Sequence, residues 1–109
     1  MGLTITQREV NGVEMLHAEG RIALGEECNL LRQKVREILG SGKMNIVLNL
    51  KDVNFVDSAG LGTLLAIYES INAQHGTFKL ASPSPQIMEL LVVTKLTTVF
   101  EISKAESAG

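Results

Sequence analysis

Residues 51–68 read KDVNFVDSAGLGTLLAIY. Upstream lies NIVLNL (45–50), a nearly continuous apolar run of the kind found in strands covered on both faces. Downstream, Leu61, Leu64, Leu65, Tyr68 and Ile71 recur at helical spacing, which predicts a helix over about 59–73. Between them stands Asp57-Ser58-Ala59-Gly60-Leu61-Gly62. A buried strand that runs straight into an amphipathic helix is half of a β-α-β unit. It therefore predicts a sheet with a parallel core and helices packed on it.

The rest of the chain agrees with that reading. LTITQREV (3–10) and VEMLHAEGRI (13–22) are strand-like runs joined by Asn11-Gly12, a strong signal for a two-residue hairpin turn. On the second strand Leu16, Ala18, Gly20 and Ile22 share one face, which puts His17 on the other as a half-exposed structural histidine. GEECNLLRQKVREILGSG (25–42) reads as a helix: Leu30, Leu31, Val35, Ile38 and Leu39 mark its inner side, Glu26 and Glu27 lie at its positive end, and Gly40 is a natural stop. TFKLAS (77–82) reads as a strand, and Ser84-Pro85 as the N-cap and first residue of a helix running to about 96. TTVFEI (97–102) reads as a last short strand or extended end. The expected architecture is α/β: a mixed four- to five-stranded sheet with an N-terminal hairpin and three to four helices packed on it. One domain spans 1–103, and 104–109 form a flexible polar tail.

Composition narrows the function classes. A chain of 109 residues with 45% hydrophobic residues can build a single core. A net charge of -2 without a Lys/Arg cluster argues against nucleic acid as the partner. The N-terminus lacks a basic stretch followed by an apolar run, so no secretory signal is expected. The uncharged run from Ser58 to Tyr68 is shorter than the ~20 residues a membrane span needs. Cys28 is the sole cysteine, so neither an internal disulfide nor a cysteine zinc site can form. A cytoplasmic location is expected, without membrane insertion.

Several chemistries fail at Ser58. A nucleophile elbow, G-x-S-x-G, needs a glycine where Val56 stands. The two histidines are badly placed to act as its base: His17 is on the hairpin, and His75 lies roughly 25 Å along the helix at 1.5 Å per residue. GSGKMN (40–45) is not a phosphate-binding P-loop, because Glu37 and Met44 occupy positions that need glycine and a hydroxyl. Asp52 and Asp57 are read as loop acids that could approach each other, with no second acidic group to support acid-base work. No ligand set for a metal stands out, and no cofactor is expected. Ser58 remains as a helix cap or first helical residue, with Asp57 equally able to cap. Gly60 and Gly62 cost helix stability, roughly 1 kcal/mol each relative to alanine, and suggest a surface kept flat and accessible.

Taken with the hairpin, GRI (20–22), NIVLNLKDVNFVDSAGLGTLL, FKLASPSPQIMELL and LTTVFEI, the D-S-[small]-G-L-G motif resembles STAS domains, specifically the single-domain anti-sigma factor antagonists. The resemblance covers about residues 3–103. It implies partner switching. The unphosphorylated protein binds an anti-sigma factor that is a serine kinase, phosphorylation of the motif serine releases it, and a PP2C-type phosphatase resets it. That serine maps to Ser58, and Asp57, Ser58, Ala59, Gly60, Leu61, Gly62 and Thr63 map to the partner-binding surface. A monomer or weak dimer is implied. Many members carry Asp where this chain has Ala23, beside the phosphorylation site; Glu26 or Glu27 is a candidate substitute, and Asn54 a further neighbour. The same departure fits a second reading, a STAS adaptor subunit of a lipid-transport ABC complex that is not regulated by phosphorylation.

Overall fold

In the computed structural model, which describes residues 2–103, Asn11 and Gly12 both take positive φ, 53° and 83°. That geometry follows the right-handed strand twist and closes β1 (Leu3–Val10) onto β2 (Val13–Ile22) as an antiparallel hairpin with Val10 opposite Val13. The chain then alternates: α1 (Glu26–Gly40), β3 (Asn45–Val56), α2 (Ser58–Ala73), β4 (Thr77–Ala81), α3 (Pro85–Val93), a short 3₁₀ turn (Leu96–Thr98) and β5 (Glu101–Ser103). The five strands lie in the order β1-β2-β3-β4-β5. The first pair is antiparallel and the other three are parallel, so the sheet is mixed.

β3 is the middle strand and the spine of the core. Ile46, Leu48 and Leu50 are fully buried, packed in one cluster with Leu16 and Ile22 of β2, Leu31 of α1 and Leu64 and Ile71 of α2. On α1 the inner face is Cys28, Leu31, Val35 and Ile38, while Leu30 is exposed. Cys28 thus takes the core position that periodicity gave to Leu30. α3 starts as expected, with Ser84 Oγ accepting from Ile87 N at 3.3 Å and Pro85 at the first position. It stops at Val93. Phe100 then stacks edge-on against Tyr68 and Phe78 and seats the last strand.

β3 is longer than its apolar run suggests. It pairs with β4 only over Asn45–Asn49, then continues to Val56 beside β2 alone. In that second half Val53 and Val56 are buried, while Lys51, Asp52, Asn54 and Phe55 are exposed. A strand with one neighbour and a solvated face tolerates polar residues, so its sequence resembles a loop. Asp52 therefore lies on a strand, opposite Glu19, and not in a loop with Asp57. Its Oδ2 is 2.7 Å from His17 Nε2 on the outer face of the sheet. The pairing slips twice here, between His17 and Glu19 and between Gly20 and Arg21. The expected flexible tail, 104–109, lies outside the described residues.

Candidate functional site

β3 ends at Val56 and α2 begins at Ser58, so a single residue, Asp57, turns the chain. Asp57 is in extended conformation and is the N-cap. Its Oδ1 accepts from Gly60 N at 2.7 Å. Its Oδ2 accepts from Leu24 N at 3.0 Å, across to the loop between β2 and α1. One carboxylate thus caps a helix and ties down a neighbouring loop. These bonds favour the charged form, so the Leu24 amide first and the Gly60 amide second hold its pKa below the ordinary 3.8.

With the cap position taken, Ser58 sits at the first helical position, exposed. No hydrogen bond engages its hydroxyl among the described residues. The two glycines have different reasons. An ideal Cβ on Gly60 would overlap the carbonyl oxygen of Ile22 and come within 2.8 Å of Val56 Cγ1. Gly60 is buried and lets the first turn of α2 rest against the end of β2. Gly62 meets nothing within 4 Å and is exposed. Only Gly62, four residues after Ser58 and on the same side of the helix, keeps a surface low.

The remaining motif residues divide the same way. Ala59 and Leu61 are half-buried against the core. Thr63 is buried: its hydroxyl donates to Ala59 O at 2.9 Å and accepts from Arg32 Nη2 at 3.1 Å. Its side chain does not belong to the outer surface. Ala23 is also buried, and its carbonyl accepts from Cys28 N at 3.2 Å. The carboxylate that bonds this loop comes from Asp57. Glu26 lies in the first turn of α1, where it lines a shallow pocket with Gly2, Leu3 and Leu30. Asn54 is exposed on β3.

Two large apolar residues near Ser58 escaped the motif. Leu24 is 77% exposed and Phe55 47% exposed. Phe55 pairs in register with Arg21, whose guanidinium lies 5.4 Å from the ring centroid. All three sit at the end of β2 and β3 from which α2 departs. Their signal in the sequence is weak: Phe55 breaks the spacing of buried Val53 and Val56, and Leu24 follows the strand without a partner. Among the described residues no base is hydrogen-bonded to Ser58, and His17 is engaged with Asp52. Among the described residues no group of three or more His, Cys, Asp or Glu could hold a metal, and no helix is long and apolar enough to cross a membrane.

The family model of the STAS domain matches residues 4–108. The anti-sigma-B factor antagonist of Bacillus subtilis (strain 168) is 30% identical over 80 residues, 73% of this chain and 72% of that protein. The crystal structure of TM1081 from Thermotoga maritima, a candidate anti-sigma factor antagonist, superposes with a TM-score of 0.88 at 30% identity, covering 95% of this chain and 89% of that one. The Bacillus cell fate determinant SpoIIAA in its phosphorylated form shares the fold, with a TM-score of 0.75 at 20% identity, covering 96% of this chain and 95% of that one.

Proposed function

This chain belongs to the STAS domain family, and from that premise we propose that it is an anti-sigma factor antagonist that switches partners through Ser58. The observation that carries the reading is the unengaged Ser58 hydroxyl, exposed at the first position of α2 because Asp57 does the capping. The unphosphorylated protein binds an anti-sigma factor serine kinase in the cytoplasm and thereby frees the sigma factor. The kinase transfers the γ-phosphoryl group of ATP to Ser58 Oγ, and a PP2C-type phosphatase hydrolyses the ester. Ser58 and Gly62 form the centre of the contact, with Leu24 and Phe55 as apolar anchors beside it.

Electrostatics explain why such a switch leaves the fold alone. A phosphate adds a charge of about -1.5 to -2 at pH 7. At a helix N-terminus that charge is favourable by ~0.3–1 kcal/mol, and Asp57 opposes it. The net effect on the domain is small. The effect on an interface is large, because burying an unpaired phosphate costs several kcal/mol. At 1.4 kcal/mol per tenfold, a penalty of ~3–5 kcal/mol weakens binding by hundreds- to thousands-fold.

Incubation with ATP and a purified anti-sigma factor serine kinase that binds the unphosphorylated protein, followed by intact-mass analysis, tests the proposal. A gain of about 80 Da, one phosphoryl group, is expected for the wild type and not for Ser58→Ala. A gain that persists in Ser58→Ala places the modification elsewhere. Buried Ala23, in place of the family's usual carboxylate, favours a second reading as a STAS adaptor of a lipid-transport ABC complex. On that reading the wild type takes up no phosphate and co-purifies with the permease.

A further inference from the structure

A groove of about 380 Å³ runs between α1 and α2, away from Ser58. That volume lies within the ~300–1,000 Å³ usual for small-molecule sites. Arg32, Arg36 and Ser70 line its polar side, and Val35, Leu39 and Ile67 form its apolar floor. No acidic side chain lines it. Arg32 and Arg36 are one helical turn apart and face the same way. Neither forms an ion pair among the described residues.

Arg32 is also fixed in place. Its Nη1 donates to Asn29 Oδ1 at 3.1 Å and its Nη2 to Thr63 Oγ1 at 3.1 Å. Both acceptors are neutral, so they hold the guanidinium without cancelling its charge. A planar fork held this way loses less side-chain entropy when it grips an anion. Thr63 is itself buried and anchored to Ala59, so the support is rigid.

We propose that this groove binds a small phosphate monoester with a short apolar body. The charge of such a group, about -1.5 to -2 at neutral pH, matches two guanidinium groups, whereas a carboxylate leaves one of them unmet. Arginine forks suit phosphate oxygens, Ser70 adds a hydroxyl, and the apolar floor takes the carbon chain. Ser58 does not line the groove.

The probe is n-hexyl phosphate, titrated into the full chain and followed by amide and arginine Nε NMR shifts. Saturable shifts confined to facing surfaces of α1 and α2 are expected. Inorganic phosphate, 1-hexanol and hexanoate should each bind at least about tenfold more weakly, since each lacks one part of the match. Arg36→Gln removes a charge, and Ala66→Glu adds an opposing one at the rim; both positions are exposed and line the groove. Each should cost about tenfold or more in affinity with an unchanged urea midpoint. The proposal is overturned if hexyl phosphate gives no saturable shifts, or if either variant binds it as the wild type does. Equal binding of inorganic phosphate would mark an adventitious ion only. Equal binding of hexanol or hexanoate would remove the phosphate from the assignment.

Discussion

Gly60 and Gly62 look alike in the sequence, and the structure predicts opposite responses to the same change. At Gly62 an added methyl meets nothing within 4 Å. Alanine there recovers helix propensity, up to ~1 kcal/mol, which raises the melting temperature by about 4 °C in a domain of this size. At Gly60 the methyl runs into the Ile22 carbonyl, with Val56 Cγ1 only 2.8 Å away. Overpacking costs ~1–3 kcal/mol, and occasionally more. A main-chain carbonyl cannot rotate aside as a side chain does, so the cost belongs at the upper end. Less the propensity gain, Gly60→Ala should lose ~2 kcal/mol, which at a urea slope of ~1–3 kcal/mol/M lowers the midpoint by roughly 0.7–2 M. Equilibrium urea unfolding followed by circular dichroism measures both variants. A Gly60→Ala midpoint equal to wild type would refute the seating of α2 against β2. A destabilised Gly62→Ala would show that the open face is covered.

Ser58→Asp should leave thermal unfolding nearly unchanged, because a carboxylate at a helix start gains ~0.3–1 kcal/mol, while weakening kinase binding by about a hundredfold or more; isothermal titration against the purified kinase decides, and retained affinity sinks the interface account. Asp57 has a lowered pKa, so its contribution is fully present above 3.8 and is lost as pH falls through the lower folded value. The stability gap between wild type and Asp57→Asn should therefore narrow as pH drops below 3.8; thermal melts showing a pH-independent gap would contradict this. Lys43 lies 2.8 Å from Glu9 and 3.3 Å from the buried Glu14 carboxylate, and these partners, Glu9 first, raise its pKa above 10.5. The stability this linkage supplies is complete below 10.5 and fades as pH rises beyond it. Lys43→Met removes the cation beside the buried Glu14 carboxylate, which Gln7 also contacts, so it should destabilise, and adding Glu14→Gln should restore much of the loss in urea unfolding. Additive losses would show that the two groups do not interact.

The elements were legible because their signals are local. Alternation in 3–10 and 13–22, the Asn11-Gly12 turn, the apolar run 45–50 and the helical spacing from Leu61 to Ile71 each record which face is buried. Where coverage changes partway along an element, the record blurs. The second half of β3 reads as a loop because it has one neighbouring strand and an open face, and Asp52 reads as a loop acid with it although it lies on the strand. Leu30 and Cys28 exchanged roles on α1 for a related reason: periodicity names two adjacent candidate faces, and the packing partner selects one.

By itself, then, the sequence determined the order of elements, the α/β class and the position of Ser58 where a strand meets a helix. Only the tertiary structure decided what each motif residue does there. Asp57 takes the cap with one carboxylate oxygen on the Gly60 amide and holds the Leu24 amide with the other. That leaves the Ser58 hydroxyl to solvent. Gly60 is held to glycine by the Ile22 carbonyl, whereas Gly62 is free of any such neighbour. Thr63 turns inward to Ala59 and Arg32. Apart from the local Asp57–Gly60 and Thr63–Ala59 bonds, each of these contacts joins residues some thirty or more positions apart in the chain. Spacing along a chain records hydrophobic faces, but it carries no information about which distant amide or carbonyl will be close enough to claim a polar group.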